Sequence, residues 1–95
     1  MPRFLVEVPH DKSTAACQHA IDTFLRTGSH FLARAEWGCK DDEHKAWMIV
    51  DVDSKQEARN IVPADYRPVA KITQLVTFTQ AESETALRHQ TRDTT

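Results

Sequence analysis

Histidine and cysteine are the residues here that could hold a soft metal or carry acid–base and nucleophilic chemistry, and the chain has five of the first and two of the second in 95 residues. Neutral imidazole nitrogen and thiolate sulfur are the usual ligands of zinc and its neighbours in the first transition row. No local motif organises them, since there is neither a Cys-x-x-Cys nor a His-x-x-x-His spacing. Any site must therefore be assembled by the fold from His10, Cys17, Cys39 and His44. The remaining histidines suggest less. His19 falls on the polar side of a helix, His89 lies in a polar tail, and His30 pairs with Asp53 as an exposed ion pair worth well under ~1 kcal/mol. The acidic run Asp41-Asp42-Glu43 lacks the spaced oxygen ligands and glycine of a calcium loop and reads as a solvated turn.

The elements that must position these groups follow from periodicity. Arg3–Val8 alternates, with Phe4, Val6 and Val8 on one side and Leu5 and Glu7 on the other, and Pro9 ends the strand. Ser13 or Thr14 caps a helix whose stripe is Cys17, Ala20, Ile21 and Phe24, closed by Gly28. Phe31–Trp37 and Ala46–Val52 read as a hairpin about the polar loop Lys40-Asp41-Asp42-Glu43. If Cys39 faces His44, then Trp37 faces Ala46, Ala35 faces Met48, Ala33 faces Val50 and Phe31 faces Val52. The opposite face pairs Leu32 with Asp51, Arg34 with Ile49 and Glu36 with Trp47. Ser54-Lys55-Gln56-Glu57 spells a capping box for a short helix burying Ala58, Ile61 and Val62 and stopped by Pro63. An irregular connection, Ala64–Pro68, leads to a last strand, Ala70–Thr79. Residues 80–95 hold one large aliphatic side chain, Leu87, and read as a mobile tail, or as a short helix around Glu82–His89.

Length and charge narrow the function classes. One domain, residues 1–79, accounts for the patterned part, and a chain of this size has a single core. The formal net charge is −2, from 12 basic and 14 acidic side chains, so the basic stripe needed for nucleic acid or an anionic membrane surface is missing. No apolar run approaches the ~18 residues of a membrane span, and MPRFLVEVPH lacks the layout of a secretory signal. The expectation is a cytoplasmic protein with free thiols.

The order β-α-β-β-α-β with right-handed crossovers gives an α+β fold: a four-stranded antiparallel sheet of order 4-1-3-2 with both helices on one face, the ferredoxin-like arrangement. That leaves Leu5, Leu32, Trp47 and Ile49 on an open face, an apolar patch of the kind that marks a partner surface. In element order, size and face pattern, residues 3–79 resemble the dimeric α+β barrel superfamily, which includes antibiotic-monooxygenase-like, muconolactone-isomerase-like and stress-responsive barrel proteins. The resemblance implies a homodimer packed through the open faces, and cofactor-independent oxygenation or isomerisation as chemistries.

In this topology His10, His44 and Cys39 line one edge of the sheet, with Cys17 above it and Tyr66 and Arg67 approaching. Two readings of that edge follow. The four groups are a tetrahedral site for zinc, nickel or copper. Alternatively, the edge is the mouth of a small-molecule cleft lined by Trp37, Met48, Ala35, Tyr66 and Arg67, in which His44 or His10 acts as base and Cys39 as nucleophile. Each member also has a plainer role: Cys17 as core, His10 as a solvated turn residue, Cys39 and His44 as the end of a hairpin.

Overall fold

The computed structural model describes residues 1–85. Its frame is a four-stranded antiparallel sheet of β1 (Arg3–Pro9), β2 (Glu36–Trp37), β3 (Lys45–Asp51) and β4 (Lys71–Leu75), in the order β2-β3-β1-β4. Read from the other edge, the order is β4-β1-β3-β2. β1 and β3 pair over their whole length, Arg3 opposite Asp51 through Pro9 opposite Lys45. This register puts Phe4, Val6 and Val8 beside Val50, Met48 and Ala46, with Ile72 next to Val6 on the other flank. All of these are buried.

Helices cover that face. α1 (Thr14–Arg26) starts at Ser13, whose hydroxyl accepts from the Ala16 N–H at 3.0 Å, and contributes Ala20 and Phe24 to the core. Gly28, at φ +73°, follows its last turn in the left-handed conformation that only glycine adopts freely. α3 (Lys55–Ile61) buries Ala58, and Val62 follows it into the core. Its capping box is shifted by one residue: Ser54 Oγ accepts from the Glu57 N–H, while Glu57 Oε2 accepts from the N–H of Asp53 rather than of Ser54. Pro63 ends the helix by holding Val62 at ψ 135°. The expected irregular connection is a 3-10 segment, Ala64–Val69. Arg67 donates to the carbonyls of Val62 and Asn60, and Arg59 donates to those of Arg67 and Ala70.

The second strand is far shorter than Phe31–Trp37. Its first half is instead α2 (His30–Ala33), a helical turn capped by Ser29, whose hydroxyl accepts from the Leu32 N–H at 3.5 Å. A capping serine beside a buried leucine outweighed the β-rich composition, and the turn drives Leu32 into the core at 2% exposure. Leu32 therefore leaves the open face, and the pairings assigned to Phe31, Leu32, Ala33, Arg34 and Ala35 do not form. Only Glu36 opposite Trp47 and Trp37 opposite Ala46 remain of that ladder. His30 stacks on Phe31 at a centroid distance of 4.3 Å rather than serving an ion pair with Asp53.

The hairpin also turns earlier than Cys39. Gly38 donates to Lys45 O, and Gly38 O accepts from both Asp41 and Glu43, which winds Cys39–Asp41 into a 3-10 turn. A Cβ at Gly38 would stand 2.6 Å from both Glu43 O and the Trp47 ring, so only glycine fits. β4 ends at Leu75, short of Thr79. Residues 80–85 are helical; the tail beyond them, with Leu87 and His89, lies outside the described residues. Among the described residues no helix is long and apolar enough to cross a membrane.

The altered place of Leu32 has a direct check. Leu32→Ala is expected to cost about 2–5 kcal/mol in urea unfolding, as a buried leucine does, against under ~0.5 kcal/mol for a leucine on a solvated face.

Candidate metal centre

The β1·β3 ladder runs one step past the strands. The His10 N–H donates to His44 O at 3.0 Å, which sets the two histidines side by side at one rim of the sheet. Their rings meet edge-on with centroids 5.9 Å apart. Cys39, in the turn after β2, reaches over them, and His10 Nε2 lies 3.2 Å from Cys39 Sγ. One ligand atom from each of His10, Cys39 and His44 lies within 4.8 Å of the other two, so the three form a group that could hold a metal ion. A tetrahedral zinc with bonds of ~2.0 Å to nitrogen and ~2.3 Å to sulfur separates its ligands by roughly 3.3–3.8 Å, so closure asks for about an ångström of movement.

Cys17 stands just outside this group. It sits in the second turn of α1, where its N–H donates to Ser13 O, and it lines one surface cleft with Cys39. Both cysteines are free and half-buried. Trp37 forms the floor, its ring 4.9 Å from that of Phe24 and 5.8 Å from that of His10.

That packing removes the apolar cleft expected below the rim. Trp37 occupies the space between sheet and α1, Met48 is buried in the core, and Ala35 packs beside it. Tyr66 stacks edge-on against Phe24 at 5.9 Å. Arg67 is committed to the carbonyls that end α3 and does not approach the rim. Of the five residues assigned to a ligand pocket, Tyr66 alone lines a cleft beside His10, a shallow space of about 300 Å³ shared with Asp11, His19 and Asp65.

The electrostatics favour neutral ligands over an activated nucleophile. Burial and the neighbouring His44 lower the His10 pKa from its ordinary value, against a weaker pull from Asp11. Burial and the neighbouring Cys17 push the Cys39 thiol up to about 11. A catalytic cysteine needs a thiolate supported by an imidazolium, whereas this pair is held as thiol and neutral ring.

Asp42 is the rim residue that the sequence did not reveal. It takes a left-handed conformation, φ 59°, and its Oδ1 accepts from His44 Nε2 at 3.0 Å. With the proton on Nε2, His44 Nδ1 is left as the lone-pair nitrogen, buried and without a partner. A carboxylate that fixes the tautomer of a ligating histidine is a regular companion of metal sites. The one available signal was an aspartate two residues before a histidine in a tight turn, which the acidic run concealed. His10 Nδ1 is likewise buried and unpartnered.

For the metal-free protein the lowered pKa of His10 has a signed consequence. The unfolded chain binds this proton more readily than the folded one, so stability is full above the ordinary value of 6.5, falls as pH drops below it, and levels off beneath the folded value. Urea midpoints measured between about pH 7.5 and 5 are expected to fall more steeply for the wild type than for His10→Gln.

Against known proteins, no family model matches this chain, and neither does any curated protein or solved structure.

Proposed function

We propose that this protein binds a transition metal ion, zinc, nickel or copper, at its sheet rim through His10, Cys39 and His44, with Cys17 as the fourth ligand. The observation that carries the reading is the 3.2 Å approach of His10 Nε2 to Cys39 Sγ beside a His44 whose buried Nδ1 has no partner. An unsatisfied buried polar atom costs about 1–3 kcal/mol, and a metal would satisfy His44 Nδ1 while drawing the thiol proton off Cys39. The mixed nitrogen and sulfur donor set suits zinc or copper and disfavours magnesium and calcium. The test is elemental analysis of protein purified without a histidine tag, with metal titrations of the apoprotein. One ion per chain is expected, lost in Cys39→Ala and in His44→Ala. Metal at ~100 times its dissociation constant should add about 2.7 kcal/mol, or roughly 10–20 °C in melting temperature for a domain of this size. A chain that takes up no metal, and melts at the same temperature with and without it, would overturn the reading.

A second reading concerns assembly. We infer a ferredoxin-like protomer that pairs with a second copy through its open sheet face. Supporting it, Ile49 is 59% exposed in the middle of β3, with Leu5 beside it and Trp47 two residues away on the same face. Val76 and Phe78, just past β4, are 65% and 64% exposed. Arg3 pairs with Asp51 at 3.1 Å, and Glu7 accepts from the Trp47 indole at 3.2 Å, so the face offers both signs of charge around an apolar centre, as a self-complementary two-fold contact requires. Light scattering is expected to give the dimer mass, and Ile49→Lys the monomer mass with the fold retained; a wild-type monomer at micromolar concentration would refute this assembly.

A further inference from the structure

The metal reading leaves a second property of the rim unused. Cys17 and Cys39 come from different elements, α1 and the turn after β2, yet the fold brings both to one rim cleft. A surface cleft of about 220 Å³ is lined by both, together with Lys12, Gln18, Lys40 and His44. Two free, half-buried thiols that line one solvent-reachable cleft have the arrangement that a two-electron oxidant joins.

We propose that Cys17 and Cys39 form an intramolecular disulfide on oxidation by a peroxide, and that this bond shuts the metal out of the rim. The first half stands on the two thiols alone, and only the exclusion of metal rests on the reading above. In the metal-free chain the Cys17 sulfur attacks a peroxide oxygen: an S–O bond forms, the O–O bond breaks, and the first water departs. The second sulfur attacks the resulting sulfenic acid, the S–S bond forms, the S–O bond breaks, and the second water departs. Two thiols and one hydrogen peroxide thus give one disulfide and two waters. The sulfurs lose two electrons to the peroxide oxygens, and both thiol protons end in water. A disulfide sulfur carries no ligand charge, so His10 and His44 are left as two neutral donors without a thiolate. The bond also ties α1 to the β2–β3 turn, which restricts the unfolded chain.

The test treats tag-free, metal-free protein with hydrogen peroxide and digests it with trypsin without reductant. Cys17 falls in the peptide STAACQHAIDTFLR and Cys39 in AEWGCK. The expected product is these two joined, two hydrogens lighter than their sum, from a chain whose size in solution is unchanged. Cobalt(II) titrations of the reduced, oxidised and re-reduced protein should show affinity falling by more than about 100-fold on oxidation and returning with dithiothreitol. Cys17→Ser should abolish the link. Separate peptides bearing oxygen adducts, or links only between chains, would overturn the proposal, as would a linked protein that keeps its cobalt affinity. A reduced protein that takes no cobalt while the link still forms would defeat the metal reading and leave the disulfide in place.

Discussion

The pairing of β1 with β3 is the constraint on which the rest of this molecule depends. These strands are far apart in sequence, and their antiparallel register settles two things together. It decides which residues of each strand face the helices, because a slip by one would exchange Phe4, Val6 and Val8 for Leu5 and Glu7. It also decides that His10 and His44 end up neighbours, since the same ladder, continued by one hydrogen bond, joins their backbones. Core and rim are products of one alignment.

The rim shows how modest groups become chemically interesting through placement. An imidazole and a thiol in a turn would ordinarily be solvated. Here Trp37 packs between Phe24 and His10, and burial, with His44 beside the ring and Cys17 beside the sulfur, lowers the basicity of the ring and raises that of the sulfur. Desolvation keeps both neutral, which suits a ligand awaiting a cation and opposes a nucleophile awaiting a substrate. Asp42, itself exposed, acts on this environment from outside by holding one nitrogen of His44.

Much of this was legible in the sequence, for identifiable reasons. The alternation of Arg3–Val8 and of Ala46–Val50 encodes the sheet, and with two strands in register the convergence of His10, Cys39 and His44 follows from topology without any spacing motif. The failures lie where short-range capping competes with composition. Phe31 and Leu32 look like strand residues, but Ser29 ahead of them offers a hydroxyl to a backbone N–H, and one helical turn is enough to satisfy it. Arg67 was misplaced because a guanidinium beside two prolines gives no hint that it will be consumed by carbonyls at a helix end. The expected cleft failed on volume: alanines on paper suggest a hole, but the neighbouring tryptophan filled it.

The β1·β3 ladder is carried one backbone hydrogen bond past both its ends, by His10 to His44 and by Val52 to Pro2, yet the two ends are covered differently. At one end the rings of His10, His44 and Trp37 and the thiol of Cys39 lie over it; at the other, Arg3 and Asp51 meet in solvent beside Leu75. With the Arg3 end left in solvent, opening of the ladder by amide exchange is expected to start there rather than at His10. A group bound at the covered end would thus sit on the part of the ladder that opens last.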